Sequence, residues 1–123
     1  MLNRLLFSRG GKKPITTLIL RAASWQVKSA AYYGFNPSHG TLTPATIVYK
    51  GTTYTIAALY CRITSSAAAF TIVMNTSVPF STIRLRYNNV EYSISKTADD
   101  VFSKAGALWN NTGTYTLEIL SIT

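Results

Sequence analysis

Apolar and polar residues alternate most regularly over residues 83–94, which read Ile-Arg-Leu-Arg-Tyr-Asn-Asn-Val-Glu-Tyr-Ser-Ile. The alternation mirrors about Asn88-Asn89. Asn tolerates positive φ, so a two-residue type I′ turn is predicted there. That loop sets Tyr87 opposite Val90, Leu85 opposite Tyr92 and Ile83 opposite Ile94, all on one face. Arg86 then faces Glu91 and Arg84 faces Ser93 on the other side, which makes Arg84 and Arg86 a candidate exposed basic face. A slip of one residue would invert both faces, so the register is strongly specified. The same device occurs over residues 46–56, with Lys50-Gly51 as the loop, Ile47 opposite Tyr54 and Ala45 opposite Ile56. Tyr49, Tyr54, Thr55 and Ile56 match Tyr87, Tyr92, Ser93 and Ile94 in spacing.

The rest of the chain follows the same period. Over residues 15–28, Thr17, Ile19 and Arg21 alternate with Leu18, Leu20 and Ala22, and a break near Ala22-Ala23-Ser24 suits a bulge or bend. The cluster Asn36-Pro37-Ser38-His39-Gly40 predicts a turn, as does Ser65-Ser66. Phe70, Ile72 and Met74 share one strand face, and Tyr115, Leu117 and Ile119 share another. Residues 97–108 break the alternation, and Thr97 or Asp99 suits the cap of one short helical turn. No stretch carries the period of a long amphipathic helix. The expected fold class is all-β: a small antiparallel β-sandwich or partly open barrel of about seven to eight strands. Residues 15–123 form that single domain, preceded by an extended basic arm over residues 1–14.

Composition sharpens this picture. Charged residues are 13% of the chain, against about 25% in ordinary soluble domains. Either part of the surface meets other protein chains, or a Thr- and Ser-rich surface stays wet through its hydroxyls. The net charge of +8 attracts nucleic acid, acidic protein or anionic lipid. Arg4, Arg9, Lys12 and Lys13 concentrate cations in the arm, and Leu5, Leu6 and Phe7 add apolar grip beside them. These seven residues are the candidate partner-binding set. The lone Cys61 sits in an apolar run and excludes an internal disulfide, which fits an inert buried thiol and folding in a cytoplasm. No apolar run is long enough to span a bilayer as a helix, and neither apolar run near the N-terminus makes a signal-peptide core.

Three segments together carry a resemblance. Tyr33-Gly34-Phe35 leads through Gly40-Thr41-Leu42-Thr43-Pro44-Ala45-Thr46 into residues 48–56; residues 84–94 follow, and then Trp109-Asn110-Asn111-Thr112-Gly113-Thr114-Tyr115-Thr116-Leu117. This order resembles small β-sandwich modules of tailed-bacteriophage virion proteins, found in tail fibres, baseplates and capsid-decorating proteins, and in some bacterial surface proteins. It covers roughly residues 30–120 and leaves the arm outside. The resemblance implies an assembly or adhesion role within a virion, with other virion proteins and copies of the chain as partners, and no catalysis.

The residues themselves offer little for an enzyme. His39 is the single histidine and sits in a turn cluster, and nothing in the sequence places it beside Asp99 or Asp100 and a serine. Glu91 is matched to Arg86, and Asp99-Asp100 reads as a helix start or a loop. No metal-ligand spacing and no phosphate-binding glycine loop occurs, so no cofactor or metal is expected. Asn75-Thr76-Ser77 and Asn110-Asn111-Thr112 match the glycosylation triplet only as chance patterns. For nucleic acid, Arg84 and Arg86 lie on the opposite face from Tyr87 and Tyr92, so basic and aromatic features are segregated in that hairpin. The expected function is a structural module of the virion that docks through its arm and exposed strand edges. The alternative is a small viral coat or nucleic-acid-binding protein whose arm contacts packaged genome. A carbohydrate-binding module would instead use Trp25 or Trp109.

Overall fold

The computed structural model describes residues 13–123, and those residues contain strands and turns with no helix. Ten strands form one antiparallel sheet: β1 (Thr16–Val27), β2 (Ala30–Phe35), β3 (Thr41–Thr43), β4 (Thr46–Tyr49), β5 (Thr52–Ile63), β6 (Ala68–Met74), β7 (Thr82–Tyr87), β8 (Val90–Ala98), β9 (Val101–Ala105) and β10 (Gly113–Ile122). Around the circumference the order is β1, β2, β5, β6, β9, β8, β7, β10, and β10 pairs back onto β1 with Leu18 opposite Leu117. Eight strands thus close a barrel, within the all-β antiparallel class expected from the sequence but without the gap of a partly open one. Closure supplies each of those strands with neighbours on both sides, which removes the open edges that a sandwich would keep. The short β3 and β4 pair on one side only, β3 with β1 and β4 with β5.

Both predicted hairpins are present in the predicted register. Asn88 and Asn89 have φ of 53° and 65°, and Tyr87 pairs Val90, Leu85 pairs Tyr92 and Ile83 pairs Ile94. Lys50 and Gly51 have φ of 49° and 82°, and Ile47 pairs Tyr54. The two turns point to opposite ends of the barrel. Tyr87 therefore stands beside Trp109 at one end, while Tyr49 and Tyr54 stand beside Phe80 at the other.

Alternation fills the interior. Leu18 and Leu20 of β1, Phe70, Ile72 and Met74 of β6, Ile83 and Leu85 of β7, Phe102 of β9, and Leu117 and Ile119 of β10 are all buried in one cluster. On β5 a bulge between Ile56 and Ala58 shifts the parity, so that Ile56, Leu59 and Cys61 all reach the core. Trp109 closes one end of the barrel. It is buried, donates its indole N–H to the Tyr33 carbonyl at 2.8 Å, and stacks on Tyr115 at 4.9 Å. Phe80 closes the other end and stacks on Phe102 at 5.5 Å.

The short helical turn expected at residues 97–108 is absent. β8 runs on to Ala98, Asp99-Asp100 make a two-residue turn, and β9 follows. The carbonyls of Asp100 and Asp99 accept hydrogen bonds from the N–H groups of Met74 and Val78, at 2.7 and 3.0 Å. Those bonds join the turn to the chain leaving β6. Phe102 inside the barrel outweighs the local capping preference of Thr97 and Asp99. The break near Ala22-Ala23-Ser24 marks a change of partner: β1 pairs β10 up to Ala22 and β2 from Ala23 onward.

Candidate functional site

The sequence-derived candidates divide sharply. Arg4, Leu5, Leu6, Phe7, Arg9 and Lys12 lie outside the described residues, and Lys13 is exposed. Arg84 and Arg86 do project outward, but each meets a carboxylate. Arg84 reaches Glu91 diagonally at 2.8 Å and also donates to Ser93. Arg86 crosses to β10 and meets Glu118 at 2.7 Å, in place of the Glu91 that faces it in the hairpin register. Its guanidinium pKa is raised, first by the hydrogen bond to Glu118. That basic face is therefore largely neutralised. Trp109 is a core residue; Trp25 is not.

Parity on β1 decides the fate of Trp25. Leu18, Leu20 and Ala22 point inward, so Ile19, Arg21, Ala23 and Trp25 point out. β2 returns after the turn at Lys28-Ser29 and sets Tyr32 opposite Trp25. β5 sets Arg62 opposite Tyr32. One row across three adjacent strands thus reads Trp25, Tyr32, Arg62. The Trp25 and Tyr32 rings stack with centroids 5.4 Å apart and planes 7° from parallel. The Arg62 Nε donates to the Tyr32 hydroxyl at 3.2 Å.

The next row on β2 and β5 reads Gly34, Tyr60. A Cβ at Gly34 would press on the Leu59 carbonyl oxygen and lie 2.6 Å from Tyr60 Cα, so only glycine allows β2 this close to β5. The Tyr60 ring packs edge-on against both Tyr32 and Trp25, at 5.3 and 6.0 Å. Burial, then the neighbouring Tyr32, pushes the Tyr60 hydroxyl pKa up. His39 arrives from the loop between β2 and β3, which is closed by mutual backbone hydrogen bonds between Asn36 and His39. Its ring stacks on Trp25 at 4.9 Å, and its Nδ1 lies 3.3 Å from Asn36 Oδ1. The result is a half-buried patch of four rings with an exposed guanidinium at its edge. An open depression of about 350 Å³, lined by Ser24, Trp25, Gln26, Ala31 and Tyr33, adjoins it at the barrel mouth.

Charge is distributed unevenly around the barrel. All four acids of the chain occur at Glu91 or later. They sit on β8, the β8–β9 turn and β10, the half that also holds Arg84 and Arg86. β1 to β6 and their connections carry Arg21, Lys28, Lys50 and Arg62 and no carboxylate. In the second hairpin aromatic and basic residues are segregated, as the sequence indicated; on β1, β2 and β5 they are interleaved.

Cys61 faces the core, and burial pushes its thiol pKa up to about 11. Such a thiol stays protonated and unreactive at neutral pH. Among the described residues no group of three His, Cys, Asp or Glu side chains is placed to hold a metal. No protein-family model, no curated protein and no solved structure matches this chain.

Proposed function

We propose that the chain is a non-enzymatic structural module of a bacteriophage particle, belonging to the tail, baseplate or fibre or decorating the capsid. In this reading it assembles in the host cytoplasm and docks on neighbouring virion subunits and on copies of itself through its basic arm. The observation that supports docking most directly is the outer face of β1. Ile15 and Ile19 are 54% and 50% exposed there, near the point where the arm joins the barrel. A barrel filled from both ends leaves its outer surface to do the work. The sparse charge of that surface suits contact with other chains. The virion assignment itself rests on the resemblance of residues 30–120.

Deletion of residues 1–13 tests the reading. The shortened chain is expected to keep its β-sheet circular dichroism and to be lost from purified particles. Normal incorporation of the shortened chain would remove the arm from the account. The second reading, an arm that contacts packaged genome, draws on the acid-free half of the barrel that follows the arm. It predicts oligonucleotide binding that weakens steeply with salt, and absence of binding at low salt would end it.

A further inference from the structure

We infer that the outer wall formed by β1, β2 and β5 is a binding platform for single-stranded nucleic acid. Trp25, Tyr32 and Tyr60 supply the stacking surface for bases, and Arg62, Arg21 and Lys28 supply the cations for the phosphates. This goes beyond the assembly reading and does not depend on it, because it assigns a site on the barrel and not on the arm.

Three observations carry the assignment. First, the aromatic residues are on the outside of a barrel whose interior is already full. Trp25 and Tyr32 are cross-strand partners, and Tyr60 is one row away on β5. Aromatic side chains set side by side on a sheet surface are the sequence-tolerant way to hold unstacked bases. Second, the cations here have no acid to meet. Arg62 donates to the Tyr32 hydroxyl, Arg21 lies on the same outer face four residues before Trp25, and Lys28 occupies the β1–β2 turn with φ of 56°. The acids that neutralise Arg84 and Arg86 are on β8 and β10, outside the wall of β1, β2 and β5. Third, two rings and a guanidinium share one row across three adjacent strands, so one ligand strand can meet both. A neutral sugar would leave the cations unused. A duplex keeps its bases stacked away from the rings.

The test uses the full chain and fluorescence anisotropy at about 50 mM salt. The probes are labelled oligo-dT and oligo-U of about 12 nucleotides, within the span of known single-strand sites, a hairpin duplex, and a sulfated polysaccharide as a polyanion without bases. The single strands are expected to bind about tenfold or more tighter than the duplex or the polysaccharide, since each stacked base contributes about fivefold or more and more than one base is held. Trp25→Ala is expected to weaken single-strand binding about 5- to 100-fold, and Arg62→Gln to weaken it and flatten its salt dependence. With Arg4, Arg9, Lys12 and Lys13 all changed to Ala, a logarithmic salt slope of about −2 is expected from the three wall cations. That variant is expected to keep its sensitivity to Trp25→Ala. Trp25 points away from the core, so circular dichroism is expected to be unchanged by its replacement and serves as the folding control. The inference is overturned by failure to bind either oligonucleotide, by equal or tighter binding of duplex or polysaccharide, or by a folded Trp25→Ala protein that binds as the parent does.

Discussion

The two tryptophans make opposite predictions, and the buried one can be worked through in numbers. Trp109 is 5% exposed and plugs the end of the barrel where Tyr33, Tyr87 and Tyr115 converge. Replacing it with Ala removes the ring from contact with Phe70, Tyr87 and Tyr115, whose centroids lie 5.6, 5.5 and 4.9 Å away. Truncation of a buried Trp costs about 3–5 kcal/mol, with the cavity included. The Tyr33 carbonyl loses its donor as well, which adds about 1 kcal/mol if water does not replace it. A total near 5 kcal/mol is expected, and it is a large share of the roughly 5–15 kcal/mol that holds a domain of this size together. Unfolding entropy of about 2 cal/mol/K per residue converts this into a fall in Tm of roughly 15–20 °C. Thermal melts and urea titrations followed by circular dichroism would measure both quantities. Trp109→Phe keeps one aromatic ring but loses the pyrrole half of the indole together with its donor, so it is expected to fall between parent and Trp109→Ala. A Trp109→Ala protein within about 1 kcal/mol of the parent, or a Trp25→Ala protein destabilised as much as Trp109→Ala, would refute the placement of the two rings.

Two further outcomes follow from the same structure. Gly34→Ala places a methyl group against the β5 backbone at Leu59 and Tyr60. It is expected to destabilise the fold by about 1–3 kcal/mol and to raise amide exchange along the β2–β5 pairing, whereas unchanged exchange would show that β2 can back away freely. The Cys61 thiol, held up to about 11 from an ordinary value of 9.0, keeps its proton in the folded chain after the unfolded chain has lost it. Its contribution is therefore complete below about pH 9 and fades as pH rises toward 11, by about 1.4 kcal/mol per unit over that window. Urea titrations between those limits, compared with Cys61→Ala, would show the extra slope, and identical slopes would place the thiol in a more polar setting.

The reach of the sequence is clearest in the two hairpins. Asn88-Asn89 and Lys50-Gly51 supply the positive φ that a tight turn requires, and alternating residues on either side then leave one acceptable register. These are contacts between neighbours in the chain, so local chemistry is enough to specify them. The inward rows on β6 and β10 were legible for the same reason. The row Trp25, Tyr32, Arg62 was not, although the symmetry of Trp25 and Tyr32 about Lys28-Ser29 was available as a signal. Lys-Ser carries no turn signature of its own, and Arg62 comes from a strand thirty residues further on.

Closure of the barrel depended on contacts no local pattern reports. Leu18 meets Leu117 only because β10 returns to β1, and nothing in either strand's alternation distinguishes a sandwich from a closed wall. That closure fixed which face is inside, and so made Trp109 a plug and Trp25 a surface residue, two rings that composition treats alike. It also made residues 101–105 a strand, because Phe102 is worth more inside the barrel than a capped turn is worth outside it. Side-chain period and turn chemistry act over a few residues and can be read along the chain. The division between inside and outside belongs to the assembled sheet, because it is settled by the apolar area that all eight walls bury together.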